Sequence, residues 1–216
     1  MSQIKLYCKN LAKKISSKKK VYEDFNDPKS FLDQFKEAKG KVAIHYACAR
    51  GDVSIVSYLI ETMKLDYHVK DKEGNTPFFT AVEHGFLDLV KYFVDELKIS
   101  PLSVKDGDIS ALHLAANNNN IEMMEYLIGK GCDIEKMSIY GKPINWAVGS
   151  RHVQATQYLL EKGADPNGDN TCPAPPPLIL AIDFGCKEIY KALLEAEKLN
   201  IHCADQQGYT ALHIAA

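Results

Sequence analysis

The stretch Ser110 to Ala116, SALHLAA, decides how this chain is read, because it returns along the chain in altered copies. VAIHYAC runs from Val42 to Cys48, TPFFTAV from Thr76 to Val82, and KPINWAV from Lys142 to Val148. PPLILAI follows from Pro176 to Ile182, and TALHIAA closes the chain from Thr210 to Ala216. Aligned on the fourth letter, the copies fall at His45, Phe79, His113, Asn145, Ile179 and His213, at intervals of 34, 34, 32, 34 and 34 residues. A second element recurs in step: GDVSIVSYLI (51–60), GFLDLVKYFV (85–94), NNIEMMEYLI (119–128), RHVQATQYLL (151–160) and GCKEIYKALL (185–194). A fixed period of this length is the mark of a repeat array, in which each unit buries its apolar face only against its neighbours.

Within one unit the local physics can be followed residue by residue. In DKEGNTPFF (71–79), Gly74 suits a positive φ, Thr76 can cap a helix, and Pro77 sits in the first turn, where a missing N–H costs nothing. Ala81 and Val82 are small, so the first helix can lie close to its neighbours. Leu87, Val90, Phe93 and Val94 recur at three- and four-residue steps and give the second helix a buried face. The turn between the helices calls for a left-handed residue, filled by Gly51, Gly85 and Gly185, by Asn119 within NNNN (117–120), and by Arg151. A left-handed arginine costs on the order of 1 kcal/mol. The fourth unit is also short at SIYGKP, which predicts local distortion, and the tyrosines at 58, 92, 126 and 158 are expected in the core.

The phrase and its period resemble the ankyrin repeat, whose signature is Thr-Pro-Leu-His-x-Ala at about 33 residues. GCD (131–133) and GADPN (163–167) also resemble the endings of that family's units. The resemblance implies an all-α repeat solenoid of helix-turn-helix units joined by β-hairpin fingers. It places repeats at about 40–70, 71–104, 105–136, 137–168 and 169–204, with a partial sixth at 205–216. Residues 1–39 lack the phrase and are expected to form degenerate N-terminal capping helices with a basic start. DPKSFLDQFKEA (27–38) supplies a helix capped by Asp27. The half-built sixth copy suggests an N-terminal fragment of a longer chain. GDNTCPAPPPL (168–178) replaces the fifth finger and is expected to be a stiff hairpin, with a bare P-x-x-P at Pro173 and Pro176 as a weaker proline-reading alternative.

Composition narrows the function. The net charge of −2 hides an asymmetry: residues 1–20 carry seven Lys and no acid, leaving 19 basic against 28 acidic residues in the remainder. The lysines at 13–20 read as a solvated face; nuclear import or nucleic-acid binding through Lys13, Lys14 and Lys18 to Lys20 is the alternative. No aromatic or arginine platform accompanies them, so nucleic acid is not the favoured partner. Six scattered Cys (8, 48, 132, 172, 186, 203) fit free thiols in a reducing compartment, with Cys48 and Cys132 buried. No secretory signal and no apolar run long enough for membrane insertion is present, so the expected location is cytoplasmic, with the nucleus as alternative.

His45, His113 and His213 invite a metal or general-base reading, but they fill the slot where the resembled family ties a hairpin to its neighbour. No phosphate loop or nucleophile motif occurs, so no enzyme activity, cofactor, metal or small-molecule substrate is expected. The resemblance implies a non-catalytic adaptor or scaffold that holds a protein partner on the concave face of fingers and first helices. Its variable slots fall at Lys72, Glu73, Asn75, Asp106, Ile109, Ile139 and Tyr140 on the fingers. At the ends of the first helices they fall at Arg50, Glu83, His84, Asn117, Asn118, Ser150, Asp183 and Phe184. Phe184 stands in a usually polar slot, and Trp146, the single Trp, is weighed equally as packing and as contact. The alternative function is a targeting or regulatory arm of a larger enzyme, channel or chaperone adaptor.

Overall fold

The computed structural model describes residues 43–168 and 174–215, and its contacts divide the chain into two compact units that part after Leu97. The expected capping helices, the lysine run and Pro173 of the P-x-x-P lie outside the described residues.

Among its described residues the first unit holds two helix pairs. Helix α1 (Ala43–Cys48) packs on α2 (Val53–Glu61), and α3 (Pro77–Glu83) on α4 (Leu87–Lys91). Asp52 starts α2 by accepting the Ile55 N–H on its side chain, so one orphan donor of the first turn is satisfied. Gly51 has φ +71°, and the Phe86 ring lies where a Cβ on Gly51 would stand. The glycine therefore serves both the left-handed turn and a close ring contact. Helix α4 runs on into a wide π-type turn, Tyr92–Glu96, closed by the Leu97 N–H donating to the Tyr92 carbonyl.

The second unit repeats the plan. A short antiparallel ribbon, β1 (Val104–Lys105) with β2 (Ile109–Ser110), leads into α5 (Ala111–Asn117) and α6 (Ile121–Gly129). Then come α7 (Pro143–Gly149) with α8 (Val153–Glu161), α9 (Pro177–Asp183) with α10 (Lys187–Leu194), and α11 (Ala211–Ala215). The first helices α5, α7, α9 and α11 lie side by side, and α8 packs against α10 in a second layer. Between the layers Leu112, Met123, Leu127, Ile144, Leu159, Ile189 and Leu193 are fully buried. Each such side chain contributes about 1.5–3 kcal/mol by leaving water.

Both departures from glycine in the inter-helix turn are left-handed as the sequence predicts, Asn119 at φ +54° and Arg151 at φ +60°. The short fourth finger is compact rather than distorted: Ser138 and Gly141 exchange both backbone hydrogen bonds at 3.1 Å across a two-residue turn. The tyrosine series is corrected. All four rings are half-buried, not core. Tyr92 donates its hydroxyl hydrogen to Glu61 at 3.0 Å, and Lys130 and Lys162, one turn on, reach over the rings of Tyr126 and Tyr158. The rings lie along the rim of the second helices, and at Tyr126 and Tyr158 the next turn's lysine covers the outer face.

Candidate functional site

What aims the fingers is a bond repeated from copy to copy. Within the second unit, His113 Nδ1 accepts from the Ser110 N–H at 3.1 Å and lies 2.8 Å from Ser110 Oγ, so its proton sits on Nε2. Nε2 lies 3.1 Å from the Gly141 carbonyl and donates to it, tying α5 to the next finger. Burial pushes this imidazole down to about 4, against the pull of that carbonyl, so His113 is neutral. In the first unit His45 Nε2 meets the Asn75 carbonyl at 2.8 Å in the same way. Asn145 reproduces the pattern without a ring: its Oδ1 accepts from the Lys142 N–H at 3.1 Å and its Nδ2 donates to the Pro175 carbonyl at 3.0 Å. His45 and His113 are thus joints of the fold, while the exposed His213 makes only the inner half of the pattern, accepting from the Thr210 N–H at 3.1 Å. Cys48 and Cys132 are buried free thiols, and burial pushes the Cys48 thiol far up and that of Cys132 to about 11, which keeps both protonated.

In the second unit the joint supports an exposed apolar tip. Ile139 and Tyr140 occupy the two-residue turn of the fourth finger and are 50 % and 61 % exposed. The Ile139 N–H donates to the Gly107 carbonyl at 3.0 Å, and a Cβ on Gly107 would meet the Ile139 side chain. Trp146 is half-buried beneath them. Its indole N–H donates to Ser138 Oγ at 3.1 Å, and its ring stands edge-on to both His113 and Tyr140, with centroids 5.6 and 5.8 Å away. Trp146 therefore packs against the finger while one side stays open. Lys142 takes the capping slot held elsewhere by Thr76, Ser110 and Thr210, and it is nearly buried. Its Nζ is 2.7 Å from Glu135 and 3.3 Å from Asp165. Burial works against its charge, but the two carboxylates outweigh that and hold the ammonium above its ordinary value.

Two of the predicted contact residues turn inward. Asn75 is buried, with its N–H on the Asp71 carboxylate and its amide on Glu83, because it closes its own finger turn. Ile109 is buried, as is Ser110 beside it, because β2 runs directly into the buried start of α5. Arg50, Lys72, Glu73, Glu83 and His84 are exposed on the first unit, and Asp106, Asn118 and Asp183 on the second. Asn117 and Ser150 join successive repeats instead of standing free: Ser150 Oγ donates to Asn117 Oδ1 at 2.7 Å, and His152 Nε2 meets the Asn117 carbonyl at 2.9 Å. Phe184 is half-buried under the Arg151 guanidinium, 5.1 Å above its ring. That cation–π contact accounts for the odd residue in each of the two slots. Ser138, Lys142 and Arg151 are the residues that a slot-by-slot transfer misses. The signal for Lys142 was visible as a lysine in a row of Thr and Ser.

Among the described residues no group of three or more His, Cys, Asp or Glu could hold a metal ion, and no helix is long and apolar enough to cross a membrane. The chain matches the family model for ankyrin repeats (3 copies) over residues 8–103 and 93–170. It belongs to the ankyrin repeat family. It is 29 % identical over 201 residues to alpha-latrocrustotoxin-Lt1a of Latrodectus tredecimguttatus, covering 82 % of this chain and 13 % of the toxin. It is 33 % identical over 182 residues to the human transient receptor potential cation channel subfamily A member 1, covering 79 % of this chain and 15 % of the channel. A palmitoyltransferase, AKR1 of Lachancea kluyveri, is 27 % identical over 184 residues, covering 80 % of this chain and 20 % of the enzyme. The chain thus spans a fifth or less of the length of these relatives. Among solved structures, the ankyrin repeat domain of human ASB11 superposes with a TM-score of 0.72 at 24 % identity, covering 87 % of this chain and 85 % of that one. That likeness concerns the ankyrin fold.

Proposed function

We propose that this ankyrin repeat chain is a non-catalytic protein-binding module, and that its contact surface in the second unit centres on Ile139, Tyr140 and Trp146. The observation that carries this reading is a large apolar pair, Ile139 and Tyr140, held in water on a two-residue turn braced from below by Ser138, Trp146 and Gly107. Exposed apolar side chains on a rigid support lose little freedom on binding, which favours their use as anchors. Asp106, Asn118 and Asp183 supply a polar rim. In the first unit Arg50, Lys72, Glu73, Glu83 and His84 offer a charged surface of the same kind. Free thiols at Cys48, Cys132, Cys186 and Cys203 favour a reducing, cytoplasmic setting.

A second reading follows from the relatives. Each holds its matching region within a much longer protein, a toxin, a channel or an acyltransferase, so this chain is also read as the targeting or regulatory arm of a larger assembly. Both readings are tested by paired affinity capture with the wild-type chain and an Ile139→Asp/Tyr140→Asp variant of unchanged melting temperature. A partner held by the first and lost by the second is the expected result. Equal capture by both baits would move the contact surface elsewhere.

A further inference from the structure

Asn167 is the one asparagine of the chain that precedes a glycine, and it is also the knot between the fourth and fifth repeats. Its Nδ2 donates to Asp165 Oδ1 and to the Lys198 carbonyl, both at 2.8 Å. Its Oδ1 accepts from the Asn200 N–H at 2.7 Å, with Cys203 Sγ at 3.8 Å. The preceding copy offers a comparison, since Glu135 stands two residues beyond Asp133 as Asn167 stands two beyond Asp165. Glu135 Oε1 accepts from the Asp165 N–H at 2.8 Å, the role that Asn167 Oδ1 plays towards Asn200. An acid works at position 135 because its other oxygen meets Lys142 Nζ at 2.7 Å. At position 167 the other atom faces a carboxylate and a carbonyl, both acceptors, so only an amide fits.

We propose that Asn167 is a site of hydrolytic deamidation that unties this joint. The backbone nitrogen of Gly168 attacks Asn167 Cγ; the new C–N bond closes a five-membered imide, the Cγ–Nδ2 bond breaks, and ammonia leaves. Water then opens the imide to aspartate or isoaspartate. Gly168 favours the step because it brings no side chain to hinder the approach. In the folded chain the amide is tied on both sides, so the step waits on local opening of the joint. Once the amide has become an acid, two donated hydrogen bonds become two contacts between acceptors, one of them between like charges. The joint then cannot close as before.

The test uses the whole chain, aged at mildly alkaline pH in buffer and in urea, with peptide mass spectrometry following the amide-to-acid change at each asparagine. In urea, Asn167 is expected to convert ahead of Asn75 and Asn200, and in buffer to slow about tenfold or more. Asn167→Asp should then lose amide-exchange protection at Asn200. Conversion in urea no faster than at Asn200, equal rates in urea and buffer, or wild-type protection of Asn200 in Asn167→Asp would each overturn the proposal. If Asn167→Asp does not fold, Asn167→Ser keeps it falsifiable: a folded Ser variant supports the charge argument, and an equally unfolded one overturns it.

Discussion

Two joints of the second unit perform one task with different chemistry. At the first, the His113 imidazole accepts from the cap backbone and donates to the Gly141 carbonyl; at the second, the Asn145 amide does both towards Lys142 and Pro175. The comparison shows that a polar residue in this slot ties the finger through one acceptor near the backbone and one donor further out, on a rigid plane, and does not need a ring; Phe79 and Ile179 fill the slot with neither. The difference lies in titration and size. An imidazole buried to the degree of His113 is a proton-sensitive joint, whereas an amide is indifferent to pH.

The strongest way to break this equivalence is His113→Ala, which strands the Ser110 N–H and the Gly141 carbonyl and leaves a cavity. The expected loss is about 3–4 kcal/mol in urea unfolding. His113→Asn, copying position 145, should recover part of it; no recovery would mean that the slot reads shape rather than donor and acceptor. The next effect is on pH. His113 titrates at about 4 in the fold and near 6.5 when unfolded, so the unfolded chain binds more protons below 6.5. Its contribution is complete above pH 6.5 and is lost as pH falls towards 4, amounting to about 3 kcal/mol. The stability profile of His113→Asn should be flatter across that window, and an unchanged slope would assign the acid sensitivity to other groups.

Two smaller effects sharpen the contrast between the joints. Lys142→Met leaves Glu135 and Asp165 facing each other without their cation. Because both carboxylates are more than a third exposed, the expected cost is about 1–2 kcal/mol, read as a lowered melting temperature and relieved at low pH, where they protonate. Arg151→Gly removes left-handed strain of about 1 kcal/mol and with it a cation–π contact of about 0.5–1 kcal/mol, so the melting temperature should hardly move. Arg151→Ala, which keeps the strain and loses the contact, should be the worse of the two.

The repeat phase, the helix pairs and the left-handed turns at Gly51, Gly85, Asn119, Arg151 and Gly185 were legible because each is set by short-range sterics. The contact surface was less legible. Asn75 and Ile109 hold finger positions that vary from copy to copy, yet Asn75 closes its own turn and Ile109 lies with buried Ser110 at the foot of α5, so variation along the sequence does not reveal burial. Phe184 and Arg151 looked like two separate anomalies because their partnership spans 33 residues and only the packing of neighbouring repeats brings them together. Lys142 went unread because its two acids come from the ends of the third and fourth repeats.

The wide turn at Tyr92–Glu96 has a consequence for anyone who would recombine this chain. A turn closed by a bond from Leu97 back to Tyr92 holds one residue more than an ordinary helical turn, and one residue is about 100° of helix rotation. A chimera spliced on either side of that segment keeps its apolar stripe in phase. One spliced through it would break the bond from Leu97 to Tyr92 and unseat Phe93 and Val94, the buried residues of that turn.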